Sequence, residues 1–283
     1  IVGSEGILGK VLTGLTISGA TNKPHLNASI TRVDVRPERG SAEAKELGEA
    51  YNRSEYHDSI HPFIKSDLHS DKQIRDLLAS NDIWIHNAWA AEGILDPTSY
   101  NPANLELVRR ILTIAAELGP RAPKLVLMSS VNSHVPKNWR ERRLAGDHID
   151  ASEPALPHHH NRNAQPGPGL TRYGQAKIIL EKLAEDYAHQ YGLDITVPRI
   201  GGVNMGDALP SRYQPYIALA NDPNKGAHFD LDWEDAVRLS HADFVRDIQH
   251  IVERPKQAGH FALYNLISSS DQKVHVVGSK QPE

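Results

Sequence analysis

No cysteine occurs among the 283 residues, which excludes disulfides, thiolate metal ligands and cysteine nucleophiles. No run of eighteen apolar residues occurs either, so the sequence offers no membrane-spanning helix. An excess of basic charge is also missing. The 31 Lys and Arg stand against 35 Asp and Glu, for a net charge of -4, which provides no electrostatic basis for binding nucleic acid or an anionic membrane. The chain opens on Ile1-Val2 with neither a Met nor a signal-like apolar region, so an intracellular, cytoplasmic enzyme is the expectation. An opening inside a strand suggests that a few leading residues precede it. With 39% hydrophobic and 23% charged residues, the chain has the composition of a globular protein. Its length suffices for one large domain, or for one domain with a small lobe.

What is present is an alternation of strand-like and helix-like stretches. Ile1-Val2 reads as a strand end, followed by a glycine turn and a helix carrying Val11, Leu12 and Leu15. Residues 18–29 are polar and glycine-punctuated, a loop. Ile30 to Val35 alternates apolar and polar residues and is β-like. A helix is expected over 41–51, a short strand over Pro62–Lys65, and a helix from Asp71 with Ile74, Leu77 and Leu78 on its apolar face. Asp82 to Ala88 reads as a buried strand. The spacing of Leu105, Val108, Ile111, Leu112 and Ala115 predicts a helix over 101–119, stopped by Gly119. Lys124 to Ser130 is an almost wholly apolar strand, and residues 135–170 are irregular. A helix carrying Tyr173 runs to about Tyr191, followed by strand Leu193–Pro198, a helix near 238–253 and a strand over 260–265. Continuous apolar strands alternating with helices predict an α/β fold, a Rossmann-type doubly wound parallel sheet. Regularity fades near residue 200, so residues 1–200 are expected to form a nucleotide-binding domain. Residues 201–283 would then be a small substrate-binding lobe without independent stability.

Gly3, Gly6 and Gly9 lie between a strand end and a helix start, the context in which such glycines let the backbone approach a pyrophosphate. Ile7 and Leu8 fall within the same turn. A tight strand-to-helix turn with no ligand is the alternative. Asp34, at the end of the second strand, is placed to accept the hydroxyls of an adenine ribose and to repel a 2′-phosphate. That favours NAD over NADP, with Arg36 as the opposing feature. The separation from Gly3 to Asp34 is about 30 residues against about 20 in the usual pattern; the loop at 18–29 takes up the excess.

Tyr173 and Lys177 are four residues apart in a helical pattern, so they share one face. A tyrosine hydroxyl titrates near about 10 and is a poor base at neutral pH. A neighbouring ammonium favours the phenolate. The 16 histidines include His158-His159-His160, but adjacent residues do not converge on one ion and no acid stands at zincin spacing, so no metal is expected. Trp84 reads as core; Trp89 is placed to wall a cofactor site.

Taken together, these motifs resemble the extended short-chain dehydrogenase/reductase family, also called the NAD-dependent epimerase/dehydratase family. The resemblance runs from Gly3 to roughly Val203 and more weakly to Ser270. The glycine run is Gly3, Gly6 and Gly9, the acidic strand end is Asp34, and the adenine-contacting pair is Asp67-Leu68. The family's His-x-Ala-Ala is altered to His86-Asn87-Ala88-Trp89-Ala90. Asn104 and Ala115 match its next helix, although Leu107 and Val108 replace a Gly and a Thr. The strand-end serines are Ser129-Ser130, the Tyr-x-x-x-Lys is Tyr173 and Lys177, and the next strand end carries Arg199-Ile200.

The resemblance implies that Tyr173 exchanges a proton with a substrate hydroxyl, that Ser130 hydrogen-bonds the same oxygen, and that Lys177 also binds the nicotinamide ribose. It implies that Asn104 holds the lysine or a relay water, with a helix N-cap as the alternative. Asn87, Ala88, Arg199 and Ile200 join the cofactor-binding set. Helices at 101–119 and 171–190 pair in dimers of this family, so a homodimer is implied.

Where dehydratases carry an acidic pair, this chain has Val131-Asn132-Ser133, which argues against dehydration. Basic residues beyond Arg199 are sparse, which favours a substrate smaller than a nucleotide sugar. Arg199-Ile200-Gly201 and Leu239-Ser240-His241-Ala242-Asp243 resemble the uronate dehydrogenase-like branch, which oxidises a hexuronic acid at C1. Asn132, Ser133, Gly202 and Arg212 are then the substrate candidates, although Gly202 stands where that branch has Ser. The expected activity is NAD-dependent oxidation of a carbohydrate hydroxyl. The alternatives are an NAD-dependent sugar epimerase and a non-catalytic NAD(P)-binding sensor.

Overall fold

The apolar runs become strands of one parallel sheet. The computed structural model describes residues 1–4, 8–9, 12, 28–35, 63–89, 102–133, 168–203 and 238–267. Strands β1 (Arg32–Asp34) and β2 (Phe63–Lys65) pair in parallel. Val2 bridges Val33 on one side and His86 on the other, which seats the N-terminal strand between β1 and β3 (Ile83–His86). Strand β3 pairs with β4 (Lys124–Leu127), and β4 pairs with β6 (Ile195–Ile200). β5 (Ser129–Ser130) continues β4 beyond Met128, because Val126↔Thr196 and Ser129↔Arg199 keep one register along β6. β9 (Phe261–Leu266) pairs with β6 on its other side and is the last strand of the sheet among the described residues. The sheet therefore continues past residue 200. A separate parallel pair joins β7 (Gly202–Val203) to β8 (Arg238–Leu239).

Each central strand sends alternate residues to opposite faces, and both faces are covered. Trp84, Leu125, Leu127, Ile195 and Val197 pack into one core with α1 (Asp71–Ala79), α2 (Pro102–Leu118) and α3 (Pro168–Tyr191). Ile85, Val126, Met128 and Ile200 face the other, where Leu12 and residues Phe244, Val245 and Ile248 of α4 (His241–Glu253) are buried. Two-faced burial is what near-continuous apolar strands require. Lys124, 2% exposed, donates from Nζ to the carbonyls of Ile251, Val252 and Arg254. It thus ties the end of α4 to the sheet and satisfies carbonyls that a helix terminus leaves over.

Several boundaries differ from the sequence reading. The last helix begins at His241, not 238, because Ser240 caps it by accepting from the Asp243 N–H at 3.0 Å and Leu239 is in a strand instead. Helix α3 begins at Pro168, five residues before Tyr173, a start that proline at the first helical position favours. The strand expected over Leu193–Pro198 is shifted to Ile195–Ile200. The expected helix at 41–51 and most of the loop at 18–29 and of the irregular stretch at 135–170 lie outside the described residues. No described helix is long and apolar enough to cross a membrane.

Candidate active site

The N-terminal strand lies where the sheet order runs outward in both directions, the position at which open α/β sheets form a crevice. Gly3 turns the chain there with φ +78°. A Cβ on Gly3 would lie 2.7 Å from the Ala88 amide nitrogen, and one on Gly9 would lie 2.3 Å from the Gly3 carbonyl oxygen. The turn is held from both sides. Gly3 and Ser4 donate to the Val33 carbonyl, at 2.8 and 3.3 Å, while Asn87 donates from its amide to Val2 O at 3.0 Å and from Nδ2 to Gly3 O at 3.3 Å. Asp34 follows Val33 directly and is 3% exposed, so a buried carboxyl-bearing residue adjoins the glycine turn.

Beyond β2, Ser66 donates to Asp34 O at 2.8 Å. Leu68 adopts φ +56°, an uncommon conformation for a residue with a Cβ. It is held there by its amide donating to Ser66 Oγ at 2.9 Å and by Arg110 donating to its carbonyl at 3.1 Å. The Asp67 carboxylate is about half exposed and accepts the His69 amide at 3.1 Å.

We expect Gly9→Ala to weaken NADH binding at least about tenfold, because the added methyl must displace the Gly3 carbonyl, a strain of order 1–3 kcal/mol. Fluorescence titration with NADH measures this; unaltered binding would show that the turn does not contact the cofactor.

Tyr173 and Lys177 converge on Trp89, a few residues past the end of β3. Lys177 is 4% exposed and donates to Met128 O at 2.9 Å. Its ammonium lies 3.5 Å from the centre of the Trp89 ring and 5.7 Å from the centre of the Tyr173 ring. Trp89 meets Tyr173 edge-on, at 6.3 Å between centroids and 89° between planes. A carbonyl and an aromatic face thus support the buried cation, as a ring quadrupole can. Ser130, 7% exposed, ends β5, and α3 packs across β5 and the short turn Val131–Ser133 that follows. His86 is buried at the end of β3, and its proton affinity is pushed down to about 3, first by burial and then by the Lys177 charge.

The surroundings of the other expected residues are as follows. Asn104 is buried within the first turn of α2, which starts at Pro102, so it does not stand at the N-cap. Arg199 and Ser133 face Glu181: Arg199 donates from Nε and Nη2 to its carboxylate at 3.0 and 2.8 Å, and Ser133 Oγ lies 2.7 Å from it. Ile200 is buried in the second core, and Gly202 pairs with Arg238 in β7. Leu8 packs against that same core. Gly6, Ile7, Arg212 and the Asn132 side chain lie outside the described residues. Sequence reasoning missed Glu181, although its spacing from Lys177 repeats that of Lys177 from Tyr173. Among the described residues no cluster of three or more His, Asp or Glu is placed to hold a metal ion.

These residues fit an NAD dinucleotide. Gly3 and Gly9 stand where no side chain is tolerated, and Asp34 lies one strand over, the arrangement that receives a pyrophosphate and a ribose.

The comparisons with known proteins agree. A model of the NAD dependent epimerase/dehydratase family matches residues 1–204. Mitochondrial L-threonine 3-dehydrogenase of Sus scrofa is 25% identical over 222 residues, covering 74% of this chain and 53% of its own. The chain thus spans about half the length of the curated relatives it matches. Glucuronic acid dehydrogenase from Chromohalobacter salexigens superposes with a TM-score of 0.55 at 19% identity, over 95% of this chain and 76% of that one. UDP-glucose 4-epimerase from Thermus thermophilus, solved with NAD, gives 0.56 at 15% identity, over 94% and 76%. At such identities the solved structures establish the Rossmann-type fold; the family match, which spans most of the chain, establishes that it belongs to the NAD dependent epimerase/dehydratase family.

Proposed function

We propose that the chain is an NAD-dependent oxidoreductase that oxidises a hydroxyl of a carbohydrate, of the sugar-acid or hexuronate class, through Ser130, Tyr173 and Lys177. The observation that carries this reading is the buried Lys177 ammonium 5.7 Å from the Tyr173 ring. Burying a cation costs several kcal/mol, a penalty better explained by proton chemistry beside it than by packing. The backbone of the turn at Gly3 to Gly9 would hold the pyrophosphate, Asp34 the adenine ribose and Lys177 the nicotinamide ribose. When bound, NAD supplies the hydride acceptor. Tyr173, as phenolate, takes the proton of the substrate hydroxyl; Ser130 donates to that oxygen and orients it; Lys177 favours the phenolate by its charge.

The likeness to glucuronic acid dehydrogenase supports the sugar-acid class, and the run Arg199-Ile200-Gly201 agrees with it. The likeness to an epimerase solved with NAD supports the second reading, in which the cofactor is regenerated within each turnover. We also propose a homodimer face along α2 and α3; the exposure of Ile179 and Tyr191 on α3, at 41% and 46%, supports it. Absorbance at 340 nm separates the two activities. With hexuronic acids, aldoses and nucleotide sugars offered in turn, a dehydrogenase accumulates NADH with one of them. Isomerised product without net NADH would instead establish the epimerase.

A further inference from the structure

Glu181 lies one turn beyond Lys177 and two beyond Tyr173 on α3, so the three share a helix face. It is buried: the Glu181 side chain is 7% exposed and that of its partner Arg199 is 2%. Its Oε1 accepts from Ser129 Oγ at 2.6 Å, from Ser133 Oγ at 2.7 Å and from Arg199 Nε at 3.0 Å. Its Oε2 accepts from Arg199 Nη2 at 2.8 Å.

The donors come from three segments. Ser129 adjoins Ser130 in β5, Arg199 is the residue paired with Ser129 across the sheet, and Ser133 belongs to the turn that follows. Ser133 Oγ also lies 2.8 Å from the Ser130 carbonyl oxygen. Ser130 is therefore bracketed: the residue before it and the hydroxyl that contacts its own carbonyl both end on Glu181. A rotation or slide of α3 that moved Tyr173 and Lys177 relative to Ser130 would break these bonds together.

We propose that Glu181, charge-paired with Arg199, is a positioning residue that sets the register of the Tyr173–Lys177 helix against the Ser130 strand end. The inference rests on the Ser130–Tyr173–Lys177 reading given above. It assigns Arg199 and Ser133 to this bracket, not to cofactor or substrate. Arg199 donates to the bracket bidentately, a geometry that fixes direction as well as distance.

Removing Glu181 alone leaves Arg199 as a buried unpaired charge, which unfolds proteins for reasons unrelated to the site. Exchanging both members of a buried ion pair for apolar residues avoids this. The test is therefore the double variant Glu181→Leu/Arg199→Met. Thermal melting, NADH affinity and turnover with D-glucuronate and UDP-glucose are measured. The Tyr173 phenolate is titrated by the 295 nm difference between each protein and its Tyr173→Phe counterpart.

We expect the double variant to melt near the parent temperature and bind NADH within about threefold, yet to lose about 10²-fold in turnover, as a misplacement of roughly 1 Å does. Its Tyr173 titration shifts away from that of the parent, whereas a merely structural pair would leave that titration unchanged. Parent-like turnover together with a parent-like titration in the double variant would overturn the proposal. Where neither probe turns over, the titration alone decides. Should Tyr173→Phe leave turnover intact, the catalytic reading fails, and the titration still decides the role of Glu181.

Discussion

Tyr173→Phe lowers NAD-linked turnover by about 10³-fold, within the range that a positioned acid–base group contributes, while NADH binding stays within about twofold. The asymmetry follows from what the substitution spares. The Trp89 ring meets the Tyr173 ring edge-on, and Lys177 donates to Met128 O; neither contact involves the phenol oxygen. Phe therefore keeps the packing of the wall and the place of the cation, and loses only the hydroxyl proposed to accept the substrate proton. Lys177 has no comparable substitute, because its removal would alter the cation–ring contact and the carbonyl contact at once. Steady-state rates at saturating NAD, with NADH fluorescence titration in parallel, check the expectation. Parent-like turnover in the Phe variant would remove Tyr173 from the mechanism.

His86→Leu should flatten the acid limb of the stability curve. In the folded chain His86 is neutral, with its proton affinity pushed down to about 3 by burial and by the Lys177 ammonium. Neither imidazole nitrogen finds a hydrogen-bond partner among the described residues. In the unfolded chain the same histidine titrates near about 6.5. As pH falls through that value the unfolded state takes up a proton that the folded state refuses until about pH 3. Stability is consequently intact above the unfolded value and is lost between the two. Between about pH 6.5 and 4 the loss is roughly 3 kcal/mol, at about 1.4 kcal/mol for each pH unit.

Leucine has similar bulk, needs no hydrogen bond and binds no proton, so the variant loses less stability over that window. The difference between the two proteins isolates His86 from carboxylates that titrate in both. Urea unfolding at a series of pH values from 7 to 4 measures it. Parallel acid limbs would show that His86 takes up its proton equally easily in the folded state.

Much of the sheet was legible because burial on both faces leaves a simple signature. Trp84 to His86 and Lys124 to Leu127 stand out as short, mainly apolar runs, and each became a central strand. The start of α4 was also written in the chain: Ser240 and Asp243 form a capping pair, and giving it more weight than the apolar spacing from Val237 would have moved the start to His241. Strand β9 was located in sequence, but nothing local said that it would pair with β6.

The glycine turn, Asp34, and the Tyr173–Lys177 spacing were determined by sequence alone, because each depends on local geometry. A positive φ excludes most side chains at Gly3, and a helical period brings residues four apart onto one face. Tertiary structure decided what those residues meet. It placed Trp89 on the Lys177 ammonium and buried His86 beside the same charge. It also turned Arg199 and Ser133 toward Glu181. Such partners lie 18 or more residues apart along the chain. Their meeting is fixed by strand order and register, which no short-range pattern encodes.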